Sequence, residues 1–184
     1  VDRCMTCHVG IDKAGFEDAP QPYSTHPKLD FMVGPNSPHP LSEFGCTTCH
    51  AGRGRGTGFY TSAHSPNDKE TAHRWEKDLG WEPMHYWEIP MLPKRYTEAG
   101  CYKCHSGNMP LKEAETLSLG LSVFEKAGCY ACHQVDRWND SPKPGPSLYH
   151  LASKTNKDWT YKWILDPRSF RHNTWMPHFF KKGN

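Results

Sequence analysis

The chain has no apolar run of membrane-spanning length and no cysteine outside a paired C-x-x-C spacing. It is also poor in the aliphatic residues that fill an ordinary core. Only 36% of its 184 residues are hydrophobic, and the mean hydropathy is −0.81. An aliphatic core alone is thin for that length. Charge of one sign is missing as well: the formal net charge is +2, which sets up no large field for a polyanion. Residues 1–66 lack any sustained apolar periodicity, because Pro20, Pro22, Pro27, Pro35, Pro38 and Pro40 punctuate them together with many Gly and Ser.

The cysteines supply what the core lacks. All eight fall into four C-x-x-C pairs, each followed at once by histidine. The pairs are Cys4/Cys7 with His8, Cys46/Cys49 with His50, Cys101/Cys104 with His105, and Cys129/Cys132 with His133. This is the spacing of c-type haem attachment. Each thiol adds to one vinyl group, and the adjacent imidazole ligates the iron from that side. A disulfide framework needs no histidine after each pair, and neither does a zinc site. With 12 histidines in 184 residues, four such placements by chance have a probability of roughly 2 × 10⁻⁵. The reading is four covalent, thioether-linked haem c groups, whose faces complete the core against seven Trp, eight Tyr and eight Phe. The chain without them is expected not to fold stably. Ionised propionates bring the net charge to roughly −2 oxidised and −6 reduced, so the sequence pI of 8.1 is no argument for nucleic acid.

Thioether attachment takes place outside the cytoplasm, while no signal peptide precedes the first cysteine at position 4. A targeting segment or membrane anchor is therefore expected upstream of Val1, outside the sequence, and the chain is placed in the periplasm or on the outer face of the cytoplasmic membrane.

The fold class read from the sequence is mainly α with extensive loops and little or no β-sheet. A haem-packed tri-haem module covers residues 1–112 and a mono-haem helical domain covers 113–184, with a boundary near Pro110–Glu113. A helix is expected to open at Ser65-Pro66, bury Ala72, Trp75 and Leu79, pair Glu70 with Arg74, and end at Gly80. Residues 81–93 read as a packed aromatic loop. Leu117, Leu121 and Phe124 mark a helix ending at Gly128. Another, opened by Asp158 and closed by Asp166-Pro167, carries Trp159 and Trp163 four apart.

From Leu117 onward the chain resembles class I cytochrome c. The likeness rests on Gly120 and Phe124 before Cys129-x-x-Cys132-His133, then Gly145-Pro146-Ser147-Leu148, the Trp159/Trp163 helix and Met176-Pro177. The resemblance implies that His133 and Met176 are the axial ligands of haem four and that the Pro146 carbonyl accepts the other N–H of His133. That family closes with a C-terminal helix crossing the first one, and the run Phe179-Phe180-Lys181-Lys182-Gly183-Asn184 is too short for it. A longer native polypeptide, or a neighbouring subunit in that place, is the expectation. Residues 1–112 resemble, more loosely, the multihaem cytochromes of bacterial respiratory chains.

Haems one to three need sixth ligands. His26, His39 and His64 lie beside proline, which stiffens the backbone that aims each imidazole. His85, within Met84-His85-Tyr86-Trp87, is a fourth candidate and is assigned to haem three. Met84 and Met91 stay open as alternatives. His73 is expected to face solvent, and Met109 is too near His105 to cross to the far side. Gly52-Arg53-Gly54-Arg55-Gly56 superficially resembles a nucleic-acid-binding segment; the simpler reading is a loop whose arginines bond propionates, and no nucleic acid partner is expected.

These readings converge on electron transfer. Bis-histidine sites lie lower in potential than His/Met sites, so electrons are expected to run from haems one to three towards haem four and on to a redox protein partner. The chain is read as a subunit of, or donor to, a membrane-associated respiratory complex, and not as an enzyme. A multihaem reductase or peroxidase with one open iron is the alternative.

Overall fold

The structure, a computed structural model, describes residues 2–180. The Lys181–Asn184 end of the run after Met176 lies outside the described residues. Its secondary structure is mainly helical, with no sheet among the described residues and only two isolated bridges, Ala51 with Met91 and Val135 with Trp138. No helix is long and apolar enough to cross a membrane.

The chain divides into two compact units, Val1–Cys104 and His105–Asn184. In the first, the proline-rich segment forms only short turns: 3-10 turns at Cys4–Thr6 and Leu29–Phe31, then α1 (Leu41–Phe44) and α2 (Thr47–His50). Helix α3 spans Lys69–Leu79 and ends at Gly80, whose φ of 59° is the left-handed conformation that glycine adopts without strain. It starts later than Ser65-Pro66 implied. The Asp68 carboxylate accepts the Thr71 N–H at 2.8 Å and so caps the helix, while the preceding Asn67 accepts from the Arg95 N–H instead. Leu79 is exposed, and His73 faces solvent beside Glu76. The 81–93 loop is anchored at its two ends and open in between, its far end held by the Met91 and Leu92 N–H groups on the Ala63 and His50 carbonyls. Trp81 is buried and its indole N–H donates to the His64 carbonyl at 2.8 Å, but Tyr86 and Ile89 are exposed. A 3-10 helix, Lys94–Cys101, packs along α2 and leads into α4 (Tyr102–His105).

In the second unit, α5 (Glu115–Lys126) packs on α6 (Cys129–Cys132). Trp138 stacks between Phe124 and Tyr130, at centroid separations of 5.6 and 5.1 Å, and joins the two elements. After α7 (Leu151–Lys154) comes α8 (Lys157–Leu165). Its cap is Asn156, which accepts the Trp159 N–H at 2.9 Å, and Asp158 falls in its first turn. Trp159 and Trp163 stack at 5.2 Å, both against Phe170 of α9 (Pro167–Phe170).

The polypeptide has almost no core of its own. Among the described residues only Ala51, Ala63, Trp81, Ala114 and Pro167 stand out as buried apolar side chains, while twenty large hydrophobic residues are exposed. A chain of this length ordinarily buries far more.

Candidate haem-binding sites

Every C-x-x-C-H run forms one helical turn. The N–H of His8 bonds the carbonyl of Cys4 at 2.9 Å, that of His50 the carbonyl of Cys46 at 3.0 Å, and that of His133 the carbonyl of Cys129 at 2.9 Å. In motif three Cys101 ends the 3-10 helix Lys94–Cys101, and the remaining residues, Tyr102–His105, are α4. Such a turn sets two thiols three residues apart and the imidazole four beyond the first, which suits attachment along one porphyrin edge. No two of these cysteines form a disulfide.

The sixth-ligand candidates sort themselves by geometry. His64 lies opposite His8, ring centroids 6.3 Å apart and planes 26° from parallel. His26 lies opposite His50, at 6.0 Å and 77°. A metal–imidazole bond of about 2 Å, with each ring centroid about 1.1 Å behind its nitrogen, separates two axial imidazoles by roughly 6 Å. Both pairs have that spacing. Burial holds His8, His26, His50 and His64 below the ordinary imidazole value, reinforced at His8 by His64 and at His50 by His26 and His8. Neutral imidazole is the ligating form.

The outer ring nitrogens differ between the pairs. His8 donates to the Pro22 carbonyl, and Nδ1 of His64 lies 2.8 Å from the Phe59 carbonyl. An Nδ1–H on such a carbonyl frees Nε2 to bind metal and raises its basicity. Nδ1 of His26 instead accepts the Lys28 N–H at 3.0 Å, which puts the proton of the neutral ring on Nε2. Ligation through Nε2 requires His26 to give up that contact. His64 is further pinned by Phe59, stacked on it at 4.3 Å.

His39 is partly buried between Phe31 and Phe44, at 6.0 and 5.1 Å. His85 is exposed in a turn of the aromatic loop. In the second unit, Nδ1 of His133 lies 2.8 Å from the Pro146 carbonyl, the contact that the Gly-Pro-x-Leu run implied. Gly145 is what lets it form: a Cβ there would stand 2.7 Å from the Cys132 carbonyl oxygen and 3.1 Å from Nδ1 of His133. Met176 is held against α8, its Sδ accepting the Trp163 indole N–H at 2.7 Å. A thioether sulfur has a second lone pair, which leaves one for a metal. Trp163 as a partner of Met176 was not foreseen, although its spacing from Trp159 was.

Sequence reasoning also missed Asp2. Its Oδ2 accepts the N–H groups of Cys46 and Thr47, each at 2.6 Å, and its Oδ1 accepts the Thr47 hydroxyl at 3.1 Å. The glycine-rich loop after motif two makes room for it, since a Cβ on Gly54 would collide with the Asp2 carboxylate. Arg53 of that loop lies over the Trp87 ring at 5.7 Å.

Three features of the chain thus suit a porphyrin: paired imidazoles at axial spacing, thiols presented on single turns, and apolar surface left uncovered. Comparison of the chain with protein-family models, with curated proteins and with solved structures found no match to any.

Proposed function

We propose that the chain is an exported electron-transfer protein carrying four covalently attached haem c groups. The observation that supports this most is the pairing of motif histidines with distant ones, His8 with His64 and His50 with His26, at 6.3 and 6.0 Å. All four rings are half-buried, and a metal held between the two imidazoles of each pair would set that spacing. When bound, the haems supply one-electron exchange between ferric and ferrous iron, at potentials set by their axial ligands.

The chain's residues do the rest. Cys4, Cys7, Cys46, Cys49, Cys101, Cys104, Cys129 and Cys132 anchor the groups, and His8, His50, His105 and His133 ligate from the attachment side. His64 and His26 close sites one and two, and His39 and His85 are the candidates for site three. Met176 closes site four opposite His133, whose ring Pro146 orients. A soft thioether favours ferrous iron, so the second unit is the high-potential end and hands electrons to a redox partner or to a neighbouring subunit of a membrane-associated respiratory complex. With strong ligands on each iron, the chain acts as a carrier and not as a reductase or peroxidase.

The test is low-temperature EPR of the oxidised protein, matured with its haems, alongside intact mass. Four attached haems with only low-spin ferric signals are expected. A high-spin signal equivalent to one haem would overturn the carrier reading in favour of an enzyme.

A further inference from the structure

The first cysteines of motifs one and two meet. The sulfurs of Cys4 and Cys46 and a carboxylate oxygen of Asp2 all lie within 4.8 Å of one another. The Cys46 thiol donates to the Cys4 sulfur, a contact that brings Cys4 down to about 7 and pushes Cys46 up. Asp2 fixes this corner through its three bonds to the start of α2, and the adjoining Arg3 N–H bonds the Gly54 carbonyl at 2.7 Å. Gly45 and Gly54 form the notch that receives the carboxylate, because a side chain on either would press on it.

The other end of α2 meets the cysteines of motif three. Cys49 is an electrostatic neighbour of Cys101, Lys103 and Cys104. The helix lies along the 3-10 helix Lys94–Cys101, with the Cys49 carbonyl so close to buried Gly100 that any Cβ there would collide with it. The Leu92 N–H closes the same contact on the His50 carbonyl at 2.8 Å.

We infer that Asp2 and Gly100 are positioning residues that clamp motif two between motifs one and three, so that the groups attached there follow in the order one, two, three with neighbouring edges touching. This rests on the four-haem reading above. Motif two is then the junction of the first unit: Cys46 faces back to Cys4, and Cys49 faces on to Cys101 and Cys104. Asp2 and Gly100 touch no ligating imidazole, and the one bond to His50 is made to its backbone carbonyl, so loss of the clamp alters spacing while leaving axial ligation in place.

Circular dichroism across the Soret band reads that spacing, because excitonic coupling between two haems decays steeply with distance. The holoprotein is expected to show a two-signed couplet when fully reduced. Asp2→Ala is expected to lose the part contributed by haems one and two, and Gly100→Val the part from haems two and three, each with four haems and low-spin EPR signals retained. Asp2→Asn, which keeps one acceptor oxygen, is expected to restore part of the first. An unchanged couplet in both variants at full haem content would overturn the inference. If a variant does not retain its haems, the wild type decides, since a single-signed Soret band there overturns it as well. Fewer than four haems in the wild type would instead count against the parent reading.

Discussion

The imidazoles of His8 and His64 stand 6.3 Å apart and 26° from parallel. Those of His26 and His50 stand at nearly the same distance but 77° apart. Parallel rings donate π density into the same iron d orbital and split it from its partner, whereas crossed rings feed both and leave them nearly degenerate. The oxidised protein is therefore expected to give an ordinary rhombic low-spin EPR signal from site one and a strongly anisotropic one from site two. His64→Ala should remove the first and His26→Ala the second. Loss of the same signal from both variants would sink the pairing.

If Met176 closes site four as proposed, the Trp163 indole N–H on its sulfur would draw density from it and weaken its donation to ferric iron. Trp163→Phe keeps the stack on Trp159 and deletes the donor. The potential of haem four is expected to fall by the equivalent of about 1 kcal/mol, the net worth of one hydrogen bond. A redox titration of the variant checks both sign and size.

Gly145 matters for a different reason, its approach to the ring of His133. Gly145→Ala is expected to push that ring off the Pro146 carbonyl. Loss of such an outer contact weakens metal binding by about 10–100-fold. The thioether bonds hold the haem in place, so the readout is a new high-spin fraction at site four with four haems still counted by mass.

The Asp2 corner carries a sign in pH. Burial raises the Asp2 carboxyl, but the Thr47 and Cys46 N–H groups and the Thr47 hydroxyl outweigh it and leave the group below its ordinary value of 3.8. Its contribution is thus fully present above that value and lost as pH falls through the lower folded one. Acid titration of the Soret couplet is expected to show a step below the ordinary carboxylate range, absent in Asp2→Asn.

Expressed without haem attachment, the chain is expected to show no cooperative thermal transition. Its few buried apolar residues and twenty exposed large ones leave too little burial to offset the entropy of ordering the chain. Calorimetry of the apo and holo forms makes the comparison.

What was legible in the sequence was local chemistry. The C-x-x-C-H turns, the helix before motif four, and Pro146 as the acceptor for His133 all follow from residues close in sequence or from one resemblance. His26 and His64 were legible as candidates because proline flanks them, but not their partners, since pairing depends on how irregular loops fold back. His85 drew attention through aromatic neighbours that turn out to be exposed with it. The start of α3 went astray because Ser65-Pro66 and Asp68 both make good helix openings, and the carboxylate won. Asp2 gave no signal of its own. The glycines that receive it resembled a flexible loop, because a close approach to a distant residue leaves no mark on the local pattern.

The Cys4–Cys46 corner also has a consequence for how the protein is made. If the chain is exported as proposed, then before haem attachment a thiol lowered to about 7 lies within 4.8 Å of another where thiols are readily oxidised. A disulfide oxidant there would join the two sulfurs, taking up both electrons, and the bridge would block one vinyl attachment point on each of two haems. On the four-haem proposal, maturation would have to reach motifs one and two while they are still apart or still kept reduced. The contact that would bring two redox groups together in the finished protein is then the one that its biogenesis would postpone.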